Sequence, residues 1–153
     1  MREILFRGKR VDNGEWVEGY YYKAKYYRTD KELCDYITIP YPDEENRGSD
    51  HFIVIPETVG QYTGLTDKNG KKIFEGDIIK QTVLIDKWER NIISTIEYGV
   101  GYAYSEVYGV CQRFRDGSGV SMLSIGDESG MVFCEVIGNI HDNPELLKGE
   151  NDA

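Results

Sequence analysis

Thr66-Asp67-Lys68-Asn69-Gly70-Lys71-Lys72-Ile73-Phe74-Glu75-Gly76-Asp77-Ile78-Ile79-Lys80-Gln81-Thr82-Val83-Leu84-Ile85, residues 66–85, carries the clearest statement of fold class in the chain. Thr66 to Lys71 holds its strongest short-range turn signal, because Asn and Gly suit the backbone of a tight hairpin. Lys72-Ile73-Phe74 follows, and Glu75-Gly76-Asp77 turns the chain again. Ile78 to Ile85 is then a β-branched run, which fits a pleated and partly buried surface. Short apolar runs between turn signals are strand patterning, not the 3.6-residue period of a helix. The expected class is mainly β.

Toward the N-terminus the same grammar repeats. Ile4 to Val11 and Glu15 to Tyr22 read as two strands joined at Asp12-Asn13-Gly14, where Asn and Gly are expected to supply positive φ. Trp16, Tyr20 and Tyr22 share one parity and Val17, Gly19 and Tyr21 the other, so both faces of this hairpin are partly apolar. Pro40 to Asp50 has two prolines, four acids and no apolar residue after Tyr41, the composition of an exposed, mobile loop. Phe52 to Ile55 is a short apolar run that Pro56 ends, as a buried strand would be.

Toward the C-terminus, residues 96–110 are expected to form one long strand, or two broken by a bulge at a glycine. Even positions carry Ile96, Tyr98, Val100, Tyr102, Tyr104 and Tyr108, while odd positions are nearly bare, so the rings would share one face. Arg115 to Gly119 and Gly126 to Gly130 read as turns, and Met131 to Ile140 as a last strand. Asn143-Pro144-Glu145-Leu146-Leu147-Lys148-Gly149 predicts one short helical turn, with Asn143 as N-cap and Pro at the first helical position.

Composition narrows the function. The 153 residues hold 27 acidic and 18 basic side chains, a formal net charge of -9, and 40% are hydrophobic. An acidic surface argues against general gripping of nucleic acid, which relies on Lys and Arg displacing phosphate counterions. Twelve tyrosines separate the chain from disordered acidic proteins, which are poor in aromatics. Cys34, Cys111 and Cys134 form no C-x-x-C pair and no even-numbered framework, so they read as reduced thiols of a cytoplasmic protein. Charges at positions 2, 3, 7, 9 and 10 break up any signal-peptide core, and no run approaches the roughly 20 apolar residues of a membrane span. No membrane association is expected.

The chemistry-bearing residues are scattered. His51 and His141 are the histidines, the groups whose unperturbed pKa lies near neutrality, and they share no motif. Both read as exposed polar residues. No two of the Cys and His residues have zinc-ligand spacing. The turn at Asp67 resembles a calcium loop only superficially, since the sixth position, which needs glycine, is Lys72. Gly99-x-Gly101 lacks the third glycine, lysine and helix of a phosphate loop. No catalytic residue, metal or cofactor is expected, and an enzyme is the least favoured class; a deep pocket joining His51 or His141 to carboxylates would argue otherwise. What remains is aromatic: Tyr98, Tyr102, Tyr104 and Tyr108 as a candidate interaction surface, and Tyr20, Tyr21, Tyr22, Tyr26 and Tyr27 beside Lys23, Lys25 and Arg28. Tyrosine-rich faces pack as cores or subunit interfaces, meet protein partners, or stack on unpaired bases.

Three blocks, Arg2-Glu3-Ile4-Leu5-Phe6-Arg7, Gln61 to Ile79, and Glu135-Val136-Ile137-Gly138-Asn139-Ile140-His141-Asp142-Asn143-Pro144-Glu145-Leu146-Leu147, closely resemble the YopX family of bacteriophage and prophage proteins. The resemblance spans nearly the whole chain. It implies a small phage-encoded protein, mainly β with an SH3-like or barrel-like part, able to form oligomers, and it brings no catalytic residue. The expectation is therefore an N-terminal β-hairpin region, residues 1–62, packed with a small barrel-like β domain, residues 63–153, that ends in a short helical turn. Its expected role is that of a non-enzymatic accessory or interaction module in the bacterial cytoplasm, a homo-oligomer with a host or phage protein as partner. The alternatives are a β barrel that binds single-stranded nucleic acid, and an acidic DNA mimic that occupies a basic host protein.

Overall fold

The structure is a computed structural model that describes residues 4–25, 33–42, 45, 47–99, 101–102, 105–106, 109–123, 125–126 and 130–148, the side chains of 101–102 and 105–106 excepted. The chain forms two compact units, Met1–Tyr62 and Thr63–Ala153. Both are built of antiparallel strands, so the protein is mainly β.

The first unit contains β1 (Phe6–Lys9), β2 (Trp16–Lys25), β3 (Leu33–Pro40), β4 (Ser49–Ile53) and the start of β5 (Gly60–Thr66), hydrogen-bonded in the order β4-β3-β2-β1-β5. The β1–β2 hairpin closes where the sequence predicts, but by another device. Gly14 alone takes positive φ, at 71°, whereas Asn13 contributes its side chain, its Oδ1 accepting from the Glu15 amide at 2.9 Å. Register then sorts the side chains. Lys9 faces Trp16 and Phe6 faces Gly19, while Tyr20 faces Thr38 and Tyr22 faces Tyr36. Directly opposed residues share a sheet face, so Phe6, Val17, Gly19, Tyr21 and the fully buried Ile37 lie on one side. Trp16, Tyr20, Tyr22, Tyr36 and His51 lie on the other.

The ends of the acidic stretch at 40–50 belong to strands, since Pro40 closes β3 and Ser49 opens β4, with Tyr41 donating its amide to the Gly48 carbonyl at 3.0 Å. It connects a hairpin. Beyond β4, Val54 is buried and bridges Arg10, and a 3₁₀ turn at Pro56–Thr58 follows. A single bridge does not close a sheet, and among the described residues no closed barrel forms.

The second unit begins with the end of β5 and β6 (Lys72–Phe74). It continues through β7 (Asp77–Ile85), β8 (Trp88–Tyr98), β9 (Gly101–Tyr102), β10 (Ser105–Glu106), β11 (Val110–Phe114), β12 (Val120–Met122) and β13 (Val132–Asn139). Five of these make a sheet in the order β12-β11-β8-β7-β13. Gly126 bridges Phe133 of β13, but among the described residues the sheet does not close, so the barrel-like expectation holds as an antiparallel sheet and not as a closed barrel. Ile73, Ile79, Ile96, Cys134 and Val136 form the core, with Leu65, Val110 and Leu123 packed against it. Each isoleucine so buried contributes about 2 kcal/mol of transfer free energy.

The long strand expected over residues 96–110 is instead a chain reversal. β8 ends at Tyr98, Gly99 and Gly109 take φ of 67° and 115°, and the Gly99 amide donates to the Gly109 carbonyl at 3.0 Å. β9 and β10 then pair antiparallel with Ser105 opposite Tyr102, and β11 returns along β8 with Val110 opposite Tyr98. Even residues of β8 thus stand opposite even residues of β11, whereas the β9–β10 pair sets Tyr102 opposite Ser105, so the tyrosines do not lie along one continuous strand.

The C-terminal helical turn is 3₁₀, Pro144–Leu147, with Pro at its start. Asn143 does not cap it through its side chain; its Oδ1 instead accepts from the Asn139 amide at 3.3 Å. Gly138 makes room for that side chain, because an added Cβ would stand 2.5 Å from the same Oδ1.

Candidate interaction surfaces

The predicted tyrosine surface is reached only in part. Tyr98 lies half-buried on β8, and the backbone of Tyr102 is in β9. Tyr104 and Tyr108 lie outside the described residues, as do Tyr26, Tyr27 and Arg28.

A different surface stands out at the other end of β8. β7 and β8 pair from Ile78↔Thr95 out to Ile85↔Trp88, and the turn between them is Asp86-Lys87. Asp86 takes φ of 52°, the one non-glycine residue at positive φ among those described. At this tip Trp88 is 80% exposed, Ile85 61% and Leu84 37%, and Met131, whose carbonyl accepts from the Leu84 amide at 2.7 Å, is also exposed. Ile85 and Trp88 are directly opposed and share a face. Singly exposed apolar residues are ordinary, but a tryptophan beside isoleucine on a projecting hairpin is a ready-made anchor for another surface. Sequence reasoning read Ile78 to Ile85 as a strand and passed over Trp88, because the Asp-Lys turn lacks the Asn-Gly signature.

In the first unit the sheet face that carries Trp16 is aromatic and basic, with Arg7 and Tyr36 buried and Tyr20 and His51 exposed on it. The Arg7 guanidinium lies 4.6 Å from the Trp16 ring centroid and the Lys9 ammonium 5.8 Å from it. Tyr20 is 56% exposed, and the Tyr22 and Tyr36 rings stack at 5.0 Å. His51 sits edge-on to Tyr22, with Nδ1 2.8 Å from the Tyr22 hydroxyl and Nε2 3.1 Å from Ser49 Oγ. His51 is exposed, as its sequence context predicts.

Two clefts accompany these surfaces. In the first unit, one of about 400 Å³ is lined by His51, Asp12, Arg10 and Phe52, which brings a histidine and a carboxylate to one place. Their chemistry is already committed. Arg10 donates to both Asp12 oxygens, at 2.9 and 2.5 Å, and lies 4.5 Å from the Phe52 ring centroid, while both His51 nitrogens have hydroxyl partners. The second cleft, about 270 Å³, lies in the second unit beside Arg90, Phe114 and Arg115. Among the described residues no three His, Cys, Asp or Glu side chains are placed to hold a metal ion, and no helix is long and apolar enough to cross a membrane.

The buried titratable groups serve the fold. Burial works against the Asp67 carboxylate, but amides of Val136, Lys71 and Asn69 donate to it at 2.9 Å each, and with the Lys71 charge they hold its pKa below the usual carboxylate range. Burial, helped by the Asp67 charge, pushes the Cys134 thiol up to about 11, which keeps it from acting as a thiolate nucleophile near neutral pH.

The fold is of a definite class, a mainly β protein of two small antiparallel units. The chain belongs to the YopX family: the family model, described as YopX protein, matches residues 5–148, which bears out the resemblance read from the three sequence blocks. The fold is also similar to the crystal structure of protein EF1440 from Enterococcus faecalis, with a TM-score of 0.50 and 24% identity over 97% of this chain and 100% of that one. No curated protein matches the chain. Family membership points to a phage-associated protein.

Proposed function

We propose that this protein is a non-enzymatic interaction module that acts in the cytoplasm of the bacterial host and self-associates through the tip of the β7–β8 hairpin. The observation that carries the reading is the exposure of Trp88 directly opposite Ile85. Apolar groups held out on a rigid hairpin gain when another surface removes them from water, and tryptophan is the side chain most enriched among residues that dominate binding energy. A second copy is the partner this patch fits first, since an isologous contact needs no chemistry beyond the patch itself. The committed partners of His51 and Asp12 and the raised pKa of Cys134 support a non-catalytic role.

Sedimentation equilibrium of the full chain tests the reading. The wild type is expected to self-associate at micromolar concentration, and Trp88→Ala with Ile85→Ser to weaken association by about tenfold or more, the scale of one lost hot-spot residue. A wild type that stays monomeric through millimolar concentration, or a double variant that associates equally well, overturns it.

Single-strand binding is the second reading, favoured by the face of the first unit where the half-buried Lys9 lies over Trp16 and Tyr20 is exposed. The DNA-mimic reading draws less support. Asp12, Asp35, Glu97 and Glu135 each pair with Arg or Lys, which interleaves the charges that a mimic would separate.

A further inference from the structure

The cleft of the second unit holds an assortment of groups that the interaction reading does not use. It is lined by Arg90 and Ile92 from β8, by Phe114 at the end of β11, and by Arg115, Asp116 and Ser118 in the turn that follows. The sequence places them together through strand register, since Phe114 pairs with Ser94 and the Arg115 amide donates to the Ile93 carbonyl at 2.9 Å.

Arg115 is held from behind. Its Nη1 donates to the Leu146 carbonyl in the C-terminal 3₁₀ turn at 3.2 Å, which fixes the guanidinium while using one of its five N–H groups. Arg90 is exposed, and its charge, after the Ser118 hydrogen bonds, helps to lower the pKa of Asp116. Asp116 is ordered by Ser118, whose amide donates to Oδ1 at 2.8 Å.

Two guanidiniums in a chain of net charge -9 make a local site for an anion, and Arg favours phosphate because its planar fork offers parallel N–H donors. A bare anion would leave Phe114 and Ile92 without a role and would be repelled by Asp116. A ligand that joins a phosphate to a flat ring and to hydroxyl or amino donors uses all of them: the ring lies against Phe114, the phosphate meets Arg90 and Arg115, and Asp116 accepts from the donors.

We propose that this cleft is a nucleotide site, with Arg90 and Arg115 holding the phosphate and Phe114 stacking on the base. The same chemistry is offered by a mononucleotide in solution and by one residue of a single strand.

The test is titration of the full ¹⁵N-labelled chain at low salt with AMP, with a short deoxythymidine oligonucleotide, and with inorganic phosphate, followed by amide chemical shifts. AMP or the oligonucleotide is expected to saturate by millimolar concentration, with shifts centred on residues 90–93 and 114–118, and phosphate to bind at least about tenfold more weakly. Similar affinity for AMP and oligonucleotide identifies the mononucleotide; markedly tighter oligonucleotide binding identifies the strand. Arg90→Glu is expected to weaken binding by about tenfold or more while the spectrum beyond the cleft stays unchanged, and Arg90→Ala replaces it if that variant does not fold. Failure of both AMP and oligonucleotide to saturate, shifts centred elsewhere, phosphate binding as tightly as either, or no loss in the Arg90 variant overturns the assignment. Sedimentation of Arg90→Glu beside the wild type reads self-association separately, because Trp88 and Arg90 lie two residues apart on one face of β8.

Discussion

At the scale of single residues, Asp67 shows how one carboxylate joins distant parts of a fold. Its Oδ1 closes the β5–β6 turn on the Asn69 and Lys71 amides, while Oδ2 reaches the amide of Val136, 69 positions away. Asp67→Asn keeps one acceptor oxygen and replaces the other with a donor, so it leaves the Val136 amide facing an N–H. The variant is expected to lose about 2 to 3 kcal/mol by urea denaturation at pH 7. The pH dependence follows from the lowered pKa. A carboxylate ionised more readily in the folded chain contributes stability above its unfolded pKa, about 3.9, and that contribution is lost as pH falls through the lower folded value. Asp67→Asn should therefore flatten the acid limb of the stability curve; an unchanged limb contradicts this. Tyr21 works in the opposite sense. Burial first, then its hydrogen bond to Asp35 and the charge of that carboxylate, push its pKa up to about 12. Its contribution is complete below about pH 10, the unfolded value, and is lost as pH rises toward 12. Absorbance titration should find a tyrosine step near pH 12, and Tyr21→Phe should remove it.

At the scale of elements, the hairpins were legible and the long-range devices were not. Asn69-Gly70 and Asn13-Gly14 mark turns through local chemistry that any reader of the sequence can use. The reversal after Tyr98 was hidden, because alternation of tyrosine and small residues looks the same in one strand and in two that fold back at Gly99 and Gly109. The candidate site was less legible still: Asp86, Lys87, Glu89 and Arg90 mark an exposed segment around Trp88 but assign the tryptophan no role, and the cleft residues Arg90 and Arg115 come to one lining only through β8–β11 pairing. The outer edge of β13 is a similar case. The Lys68 amide donates to the Cys134 carbonyl at 3.1 Å and Asp67 accepts from Val136, so the β5–β6 hairpin covers an edge that would otherwise invite pairing with another chain. Hydrogen exchange at Val136 should speed up markedly in Asp67→Asn compared with amides of β8. Gly19 is equally specific. Its Cβ position is occupied by the Thr38 carbonyl oxygen of the neighbouring strand, so Gly19→Ala should destabilise the first unit by about 1 to 3 kcal/mol through forced strand separation. Trp88→Ala, by contrast, removes a side chain that the second unit does not pack around, and its unfolding free energy should stay within about 0.5 kcal/mol of wild type.

At the scale of the whole molecule, a chain of formal net charge -9 exposes apolar side chains in both units, Trp88 the most of those described, at 80%. Family membership adds a phage association and a fold without adding a reaction. The chain contains two tryptophans, one in each unit, and this makes the central claim directly measurable. With both replaced by 5-fluorotryptophan, the ¹⁹F spectrum of the full chain carries one resonance from Trp16 and one from Trp88, assignable with Trp16→Phe. Raising the concentration from micromolar to millimolar should shift and broaden the Trp88 resonance while that of Trp16 stays in place. A Trp88 resonance that holds its position and width over the whole range would contradict contact through the hairpin tip.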